Sequence, residues 1–318
     1  MKKKLLTAVI ICQVCFLMLG KDESKNEPDK IQHEVKNKEK QENEPPWSVT
    51  NLSVKEEIKI WQKAYPDVQF ALDYSKEKKD WLIKVTNYGK SQIFYWAGGL
   101  YLPESELENK DKYWRVITPY KNEILDPATF SKEQAERIKN FGSSENRKNG
   151  KVSSKYIFNA IYDTSTRKST EQHIKQIQFL NRNVNVHEYL KEPLKRVEEK
   201  INSLSQKNKD VKNFLEELYS CESYNWREIR DSNTRSFHSH GIAIDILPKR
   251  WGKKIIYWGF EKNKGNQNWM LIPLSERWMP PKEVIGIFLE EGFIWGGNWA
   301  VWDNMHFEYH PELTQFVK

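Results

Sequence analysis

Two short polar stretches hold four of the seven histidines of this 318-residue chain, although about sixty residues separate them. The first, at positions 232–245, is SNTRSFHSHGIAID, and the second, at positions 296–313, is GGNWAVWDNMHFEYHPEL. The segments GIAIDILP and NMHFEYH each predict a short strand. If the histidines serve one site, the fold must bring both stretches to the same place, and this requirement constrains the architecture more than any other feature.

The amino terminus has the pattern of an export signal. MKKK is followed by the apolar run LLTAVIICQVCFLMLG, which at about 15 residues is shorter than the roughly 20 that span a membrane as a helix. We therefore expect residues 1–20 to be a signal peptide, a lipid-modified anchor or an uncleaved anchor. The protein would then be exported to the periplasm or cell envelope, either secreted or anchored. A mean hydropathy of -0.80 excludes a multispanning protein, so we expect membrane contact only through this segment.

Residues 21–48 contain almost no large apolar side chain and mix both signs of charge. Such a segment cannot bury enough surface to order itself, which predicts a disordered charged tether. The formal net charge of the chain, +7, would suit an anionic polymer, but a charge of this size is also ordinary for solubility. We recognise no base-reading motif or basic cluster, so we expect no nucleic-acid partner.

The folded part begins near residue 49, and its pattern changes along the chain. Residues 49–185 start with strand-like runs and helical segments, which predicts a small α+β N-terminal region of unknown function. Residues 152–218 have a mostly helical pattern that leads into a second domain at 186–318, whose motif core is 219–318. Apolar residues at spacings of three and four predict the buried face of a long helix there: Leu190, Leu194, Val197, Ile201 and Leu204.

His238, Asp245 and His306 together offer a ligand set for a metal ion. Two neutral imidazoles and one carboxylate suffice for a tetrahedral zinc with one position left for water, and Asp303 is placed to accept a proton from that water. On a straight strand His238 and Asp245 would point to opposite faces, so the chain must bend, and Gly241 provides a flexible point. Spacing alone leaves two interpretations open: a metal site, or ordinary surface and core histidines.

The identities of these residues sharpen the interpretation. SFHSHGIAID, with FIWGGNWAVWDNMHFE downstream, resembles the zinc peptidases of the D-alanyl-D-alanine carboxypeptidase and L-alanyl-D-glutamate peptidase family. The family pattern is Ser-x-His-x-x-Gly-x-Ala-x-Asp followed by Asp or Glu-x-x-His. The resemblance covers residues 219–318. It implies an α+β domain in which a small antiparallel sheet holds the metal and helices pack around it. The matching positions are Ser236, His238, Gly241, Ala243, Asp245, Asp303 and His306.

The resemblance also implies a role for each residue of the site. His238, Asp245 and His306 match the three ligands of one zinc ion per chain, and Asp303 matches the acid that serves as general base. Arg227 resembles the upstream arginine that binds a substrate carboxylate or polarises its carbonyl, and a planar guanidinium suits either task.

Other assignments for the arginines remain open at this point. Arg227 could instead form a surface ion pair with a nearby glutamate. Arg230 or Arg235 could then be the functional arginine, because both lie in the same segment between Arg227 and the first histidine motif.

Four further polar residues lie in or beside the motifs. Ser236 is expected to hydrogen-bond behind the ligands, and Glu308, which shares a strand face with His306, is expected to support that ligand. We expect His240 to be a wall of the cleft rather than a ligand. His310, just before a proline, is expected at the surface.

These observations predict an exported zinc-dependent peptidase that hydrolyses peptide bonds of peptidoglycan stem peptides through a metal-activated water. It would be a carboxypeptidase or an endopeptidase, with D,D- or L,D-specificity. Two other classes remain: a non-catalytic cell-wall-binding module, and a zinc hydrolase of a non-wall peptide or amide. The sequence indicates neither the bond that is cleaved nor the oligomeric state.

Overall fold

The structure is a computed structural model that describes residues 51–232 and 234–317. The predicted signal or anchor at 1–20 and the predicted tether at 21–48 lie outside the described residues. None of the helices in the described ranges combines the length and the apolar character needed to cross a membrane.

The N-terminal part is a helix packed on a three-stranded antiparallel sheet. Its elements are α1 (Val54–Ala64), β1 (Gln69–Ser75), β2 (Asp80–Asn87) and β3 (Lys90–Tyr95). The strands pair in the order β1–β2–β3. Ser53 caps α1: its hydroxyl accepts a hydrogen bond from the Glu56 amide, while the Glu56 carboxylate accepts one from the Ser53 amide. The predicted mixture of helix and strands in this region is confirmed.

The middle of the chain carries short helices and two small strand pairs. The elements are β4 (Tyr113–Trp114), α2 (Lys132–Phe141), α3 (Ser144–Asn149), β5 (Val152–Ser153), α4 (Tyr156–Tyr162), α5 (Arg167–His173), β6 (Ile174–Phe179) and β7 (Arg182–His187). β4 and β5 pair in parallel, and β6 and β7 form an antiparallel hairpin.

The hairpin of β6 and β7 shows that the expectation of mostly helical structure over 152–218 is wrong for residues 174–187. Val184 and Val186 are buried and alternate with exposed asparagines, which is the period of a half-buried strand. Leu180 and Asn181 both have positive φ, as a type I′ hairpin turn requires.

The C-terminal part contains a four-stranded antiparallel sheet with helices around it. The elements are α6 (Lys191–Ser205), α7 (Lys209–Glu217), β8 (Leu218–Glu222), β9 (Ala243–Pro248), α8 (Trp258–Asn263), α9 (Lys282–Glu290), β10 (Phe293–Trp295), β11 (His306–Tyr309) and α10 (Pro311–Thr314). The strand order is β10–β11–β9–β8. Phe288 of α9 stacks on Phe307 of β11 with ring centroids 4.2 Å apart. The predicted α+β fold is confirmed.

One continuous apolar core joins the N-terminal and C-terminal parts. Trp61 and Phe158 belong to the same cluster of buried side chains as Leu194, Val197 and Phe307. As predicted, α6 buries the face that carries Leu194 and Val197. The apolar core therefore runs across residue 185, and the division into domains at 49–185 and 186–318 stays a prediction.

We expect a chain that begins at residue 49 to fold and the fragment 219–318 to be insoluble or poorly folded. The fragment loses α6 and α1, and each large apolar side chain left exposed costs about 1.5–3 kcal/mol. Circular dichroism melting of the two proteins tests this expectation. A cooperative transition of the fragment at the temperature of the longer chain would contradict it.

Candidate metal centre

Three side-chain atoms converge at one end of the C-terminal sheet. Nε2 of His238 lies 3.2 Å from Nδ1 of His306 and 3.2 Å from Oδ1 of Asp245. Nδ1 of His306 lies 2.7 Å from the same Asp245 oxygen. Tetrahedral ligands at about 2.0–2.1 Å from a zinc ion are about 3.3–3.4 Å apart, so the triangle is close to the size that a metal requires. These three residues could hold a metal ion, and the described ranges contain no second cluster of this kind.

Strand register and a tight turn bring the three atoms together. His306 of β11 lies directly opposite Asp245 of β9, so both side chains share one face of the sheet. His238 comes from the 3₁₀ turn Phe237–His240, which ends at Gly241 with φ +70°. A Cβ at Gly241 would lie 2.8 Å from the His187 amide nitrogen. Only glycine fits there, and the predicted bend between His238 and Asp245 is confirmed.

Hydrogen bonds on the far side of each imidazole fix its tautomer. Nδ1 of His238 donates to the carbonyl oxygen of Ser223 at 2.7 Å, and Nε2 of His306 donates to the Glu308 carboxylate at 2.9 Å. Carbonyl and carboxylate oxygens only accept, so the protons lie on these nitrogens. The opposite nitrogens face the cluster, as metal-binding histidines require. The expectation that Glu308 supports His306 is confirmed.

Electrostatics at the cluster favour a cation. Burial alone would raise the pKa of Asp245, but the neighbouring His238 and His306 lower it below its usual range. Burial would lower the pKa of His306, but its hydrogen bonds to Asp245 and Glu308 raise it well above the usual range. A proton shared among these groups occupies the position that a metal ion would take, and the donor set therefore fits a metal.

Asp303 lies beside the ligands without joining their cluster. Its amide donates to the carbonyl oxygen of Gly296 at 3.0 Å, and a Cβ at Gly296 would lie 2.7 Å from the Asp303 carbonyl oxygen. Its Oδ1 is buried and has no hydrogen-bond partner within the described residues. Burial raises the pKa of Asp303 to about 7, although the charge of His306 opposes this. A carboxyl group with a pKa near neutrality is suited to accept and return a proton.

A polar cleft of about 230 Å³ opens at the cluster and includes Arg227. Arg227 lines this cleft together with His238 and Asp245. Arg235, by contrast, donates to the side chain of Asn159 and packs over the Trp226 ring at 4.7 Å. Arg227 is therefore better placed than Arg235 to meet a ligand in this cleft.

Two residues that line the cleft, Asn183 and Asn185 of β7, were missed by sequence reasoning. Their strand lies in the segment that was expected to be helical. The signal that could have found them is the alternation of asparagine and valine at positions 183–186, which gives a strand one polar and one apolar face.

Three neighbouring residues lie outside the ligand cluster. The Ser236 hydroxyl accepts a hydrogen bond from the His238 amide and so closes the turn that carries this ligand. The expectation that His240 is a wall of the cleft is wrong, because this residue is fully buried with Nδ1 2.7 Å from the Thr164 hydroxyl. The expectation of a surface position for His310 is wrong, because its ring is only 3% exposed.

Comparisons with known proteins agree with the motif analysis for the C-terminal region. Residues 230–309 match a family model described as D-alanyl-D-alanine carboxypeptidase. The match includes all three candidate ligands and Asp303 but begins after Arg227. This region of the chain is thus similar to the D-alanyl-D-alanine carboxypeptidase family, in agreement with the resemblance of its motifs. Residues 57–118 match a family model described as a domain of unknown function. No curated protein and no solved structure matches the chain.

We expect the purified protein to bind one divalent metal ion per chain, with zinc as the probe. Replacing His238 or His306 by Ala should abolish stoichiometric binding, because it leaves only two of the three ligands. His173→Ala is the matched control, since His173 lies between Asp163 and Glu188 away from the cluster. Metal analysis after reconstitution and desalting measures the stoichiometry. Retention of zinc by both ligand variants would rule out this site.

We expect metal affinity to increase with pH. Burial lowers the pKa of His306, but its hydrogen bonds to Asp245 and Glu308 raise it above the usual range, so a proton competes with a metal ion for this ligand. Lowering the pH therefore strengthens the competing proton and weakens metal binding. Calorimetry in buffers with different ionisation enthalpies measures the proton release directly. A binding enthalpy that does not depend on the buffer would contradict the expected displacement.

Proposed function

We propose that this protein is an exported zinc-dependent peptidase that hydrolyses peptide bonds of peptidoglycan stem peptides. The observation that carries the proposal is the convergence of His238, Asp245 and His306 inside the region that matches the peptidase family. Two imidazoles and one carboxylate form a donor set typical of zinc, with a fourth position open for chemistry.

The carboxylate of Asp303 has the environment of a proton carrier for this hydrolysis. A bound zinc ion would supply Lewis-acid chemistry, since it polarises a carbonyl and lowers the pKa of water. Asp303 accepts a proton from the attacking water while the new carbon–oxygen bond forms. It then donates this proton to the amide nitrogen while the carbon–nitrogen bond breaks. Burial, which raises the pKa of Asp303 in the metal-free protein, suits a group that acts first as base and then as acid.

The cleft beside the cluster supports a peptide as the substrate. Arg227 can form two parallel hydrogen bonds with a free carboxylate or one with a peptide carbonyl. Asn183 and Asn185, which also line the cleft, carry carboxamides that both donate and accept hydrogen bonds, as a peptide backbone requires. Stem peptides of bacterial walls end in free carboxylates, which gives the Arg227 guanidinium a natural partner.

The proposal also assigns a role to residues 1–48. The apolar run would direct export or anchor the protein, and this segment would provide the only contact with the membrane. The tether that the sequence predicts at 21–48 would span roughly 30 Å root mean square, from about 5–6 Å times the square root of its length. This reach would let an anchored enzyme sample the surrounding wall polymer.

We expect the zinc-loaded protein to convert muropeptides into new fragments. The Asp303→Asn variant should keep the metal but lose most of this activity. Loss of the proton carrier should lower the turnover number by about a hundredfold to ten-thousandfold. Mass spectrometry of a muropeptide digest measures the products and shows which bond is cleaved. Asp73→Asn, at an exposed position of β1, is the matched control and should retain full activity.

Other results would assign the site differently. Binding of muropeptides without cleavage would indicate a wall-binding module, and neither binding nor cleavage would indicate another peptide or amide substrate. Loss of zinc in Asp303→Asn would make Asp303 a ligand and overturn its assignment as the base.

A further inference from the structure

A continuous chain of buried hydrogen bonds leads from the candidate ligand His306 to the N-terminal part of the protein. The Glu308 carboxylate contacts Nε2 of His306 at 2.9 Å through one oxygen and Nε2 of His310 at 3.2 Å through the other. Nδ1 of His310 lies 2.6 Å from one oxygen of Glu312. The hydroxyl of Tyr65 donates to the other Glu312 oxygen at 2.8 Å. We call Glu308, His310, Glu312 and Tyr65 the support chain.

Backbone geometry aligns the support chain. Glu308 follows His306 by two residues on β11, so both side chains point to the same face of the sheet. Glu312 lies in the short helix α10, which packs against α1. Tyr65 caps the end of α1, where its ring stacks on Trp61 with centroids 5.8 Å apart. Hydrogen bonds thus link a residue near the start of the described chain to a candidate metal ligand near the end of the chain.

Every acceptor and donor in the middle of the support chain is in use. Both oxygens of Glu308, both ring nitrogens of His310 and both oxygens of Glu312 have a partner. Glu312 is fully buried, and Tyr65 is 1% exposed. Burial would lower the pKa of His310, but Glu312 and Glu308 raise it to about 9, so an imidazolium lies between two carboxylates. Charge-assisted contacts of this kind hold their geometry strongly, and removing one partner leaves a buried group unsatisfied.

The two candidate histidine ligands are supported in different ways. His238 is oriented by the backbone carbonyl of Ser223, which the fold itself holds in place. His306 is oriented by the side chain of Glu308, whose own orientation depends on the next members of the support chain. Only the second ligand therefore needs distant side chains to fix its ring.

We propose that Tyr65 and Glu312 are positioning residues for the metal ligand His306, and that the N-terminal part of the protein completes the metal centre through them. The inference rests on the proposed zinc site. The hydroxyl of Tyr65 fixes the Glu312 carboxylate, which fixes His310. His310 in turn holds Glu308 in the orientation that keeps Nδ1 of His306 directed at the metal. The hydroxyl of Tyr162 donates to that of Tyr65 at 2.9 Å and holds it in place.

The test compares Tyr65→Phe with Tyr101→Phe. Both tyrosines are buried in the N-terminal part and donate to a buried glutamate, Glu312 for Tyr65 and Glu57 for Tyr101, but only Tyr65 belongs to the support chain. We expect Tyr65→Phe to weaken zinc affinity about threefold to tenfold, somewhat less than the roughly 10–100-fold typical of a direct partner of a ligand. Tyr101→Phe should keep the affinity of the unmodified protein.

Zinc affinity is measured in the full-length protein by competition with a chromophoric chelator. The absorption spectrum of the cobalt-substituted protein reports ligand geometry, and thermal melting of the metal-free proteins reports stability. Glu312→Gln is the second variant, because it keeps the volume but replaces an acceptor of His310. It should weaken zinc binding at least as much as Tyr65→Phe and alter the cobalt spectrum.

Three results would overturn the inference. The first is equal zinc affinity in Tyr65→Phe, Tyr101→Phe and the unmodified protein. The second is loss of folding in both support-chain variants, which would assign the chain to stability instead of metal positioning. The third is a lack of zinc binding by the unmodified protein. This result would refute the metal centre itself, whereas equal affinities among the variants would refute only the positioning role.

Discussion

The antiparallel register between β9 and β11 is the constraint on which the candidate site depends. It places Asp245 directly opposite His306, and a shift of one residue would turn one of them to the other face of the sheet. The other features described above maintain this arrangement. Stacking of Phe288 on Phe307 holds β11 from one side, and the turn at Gly241 brings His238 toward the same end of the sheet.

Much of the site could be predicted from the sequence because its determinants are local. Alternating apolar residues indicated the strands that carry Asp245 and His306, and strand geometry required a bend at Gly241. Spacing alone left a metal site and ordinary histidines open, and the resemblance to the zinc peptidases implied the role of Asp303 as the base. Each inference depends on only a few consecutive residues, whose conformation follows from side-chain period and glycine freedom.

The remaining parts depend on contacts between distant segments, which a single sequence does not display. The contact between Tyr65 and Glu312 joins residues 247 positions apart. His310 was expected at the surface because it precedes a proline, yet its ring packs against Phe158 and Phe237 and is buried. One signal was available: histidine and glutamate occupy every second position from 306 to 312, which indicates a single polar face. The hairpin of β6 and β7 was not predicted because its alternation of polar and apolar residues is short and lies beside strongly helical segments.

Because one apolar core runs across residue 185, we expect the N-terminal and C-terminal parts to unfold together. A ligand that binds only the native state stabilises everything that folds with it, by about 4 kcal/mol at a concentration one thousand times its dissociation constant. A metal ion held by His238, Asp245 and His306 would therefore protect α1 and the first sheet from proteolysis as effectively as it protects its own ligands. The supply of metal would then govern how long the folded protein persists as well as whether its candidate metal centre is filled.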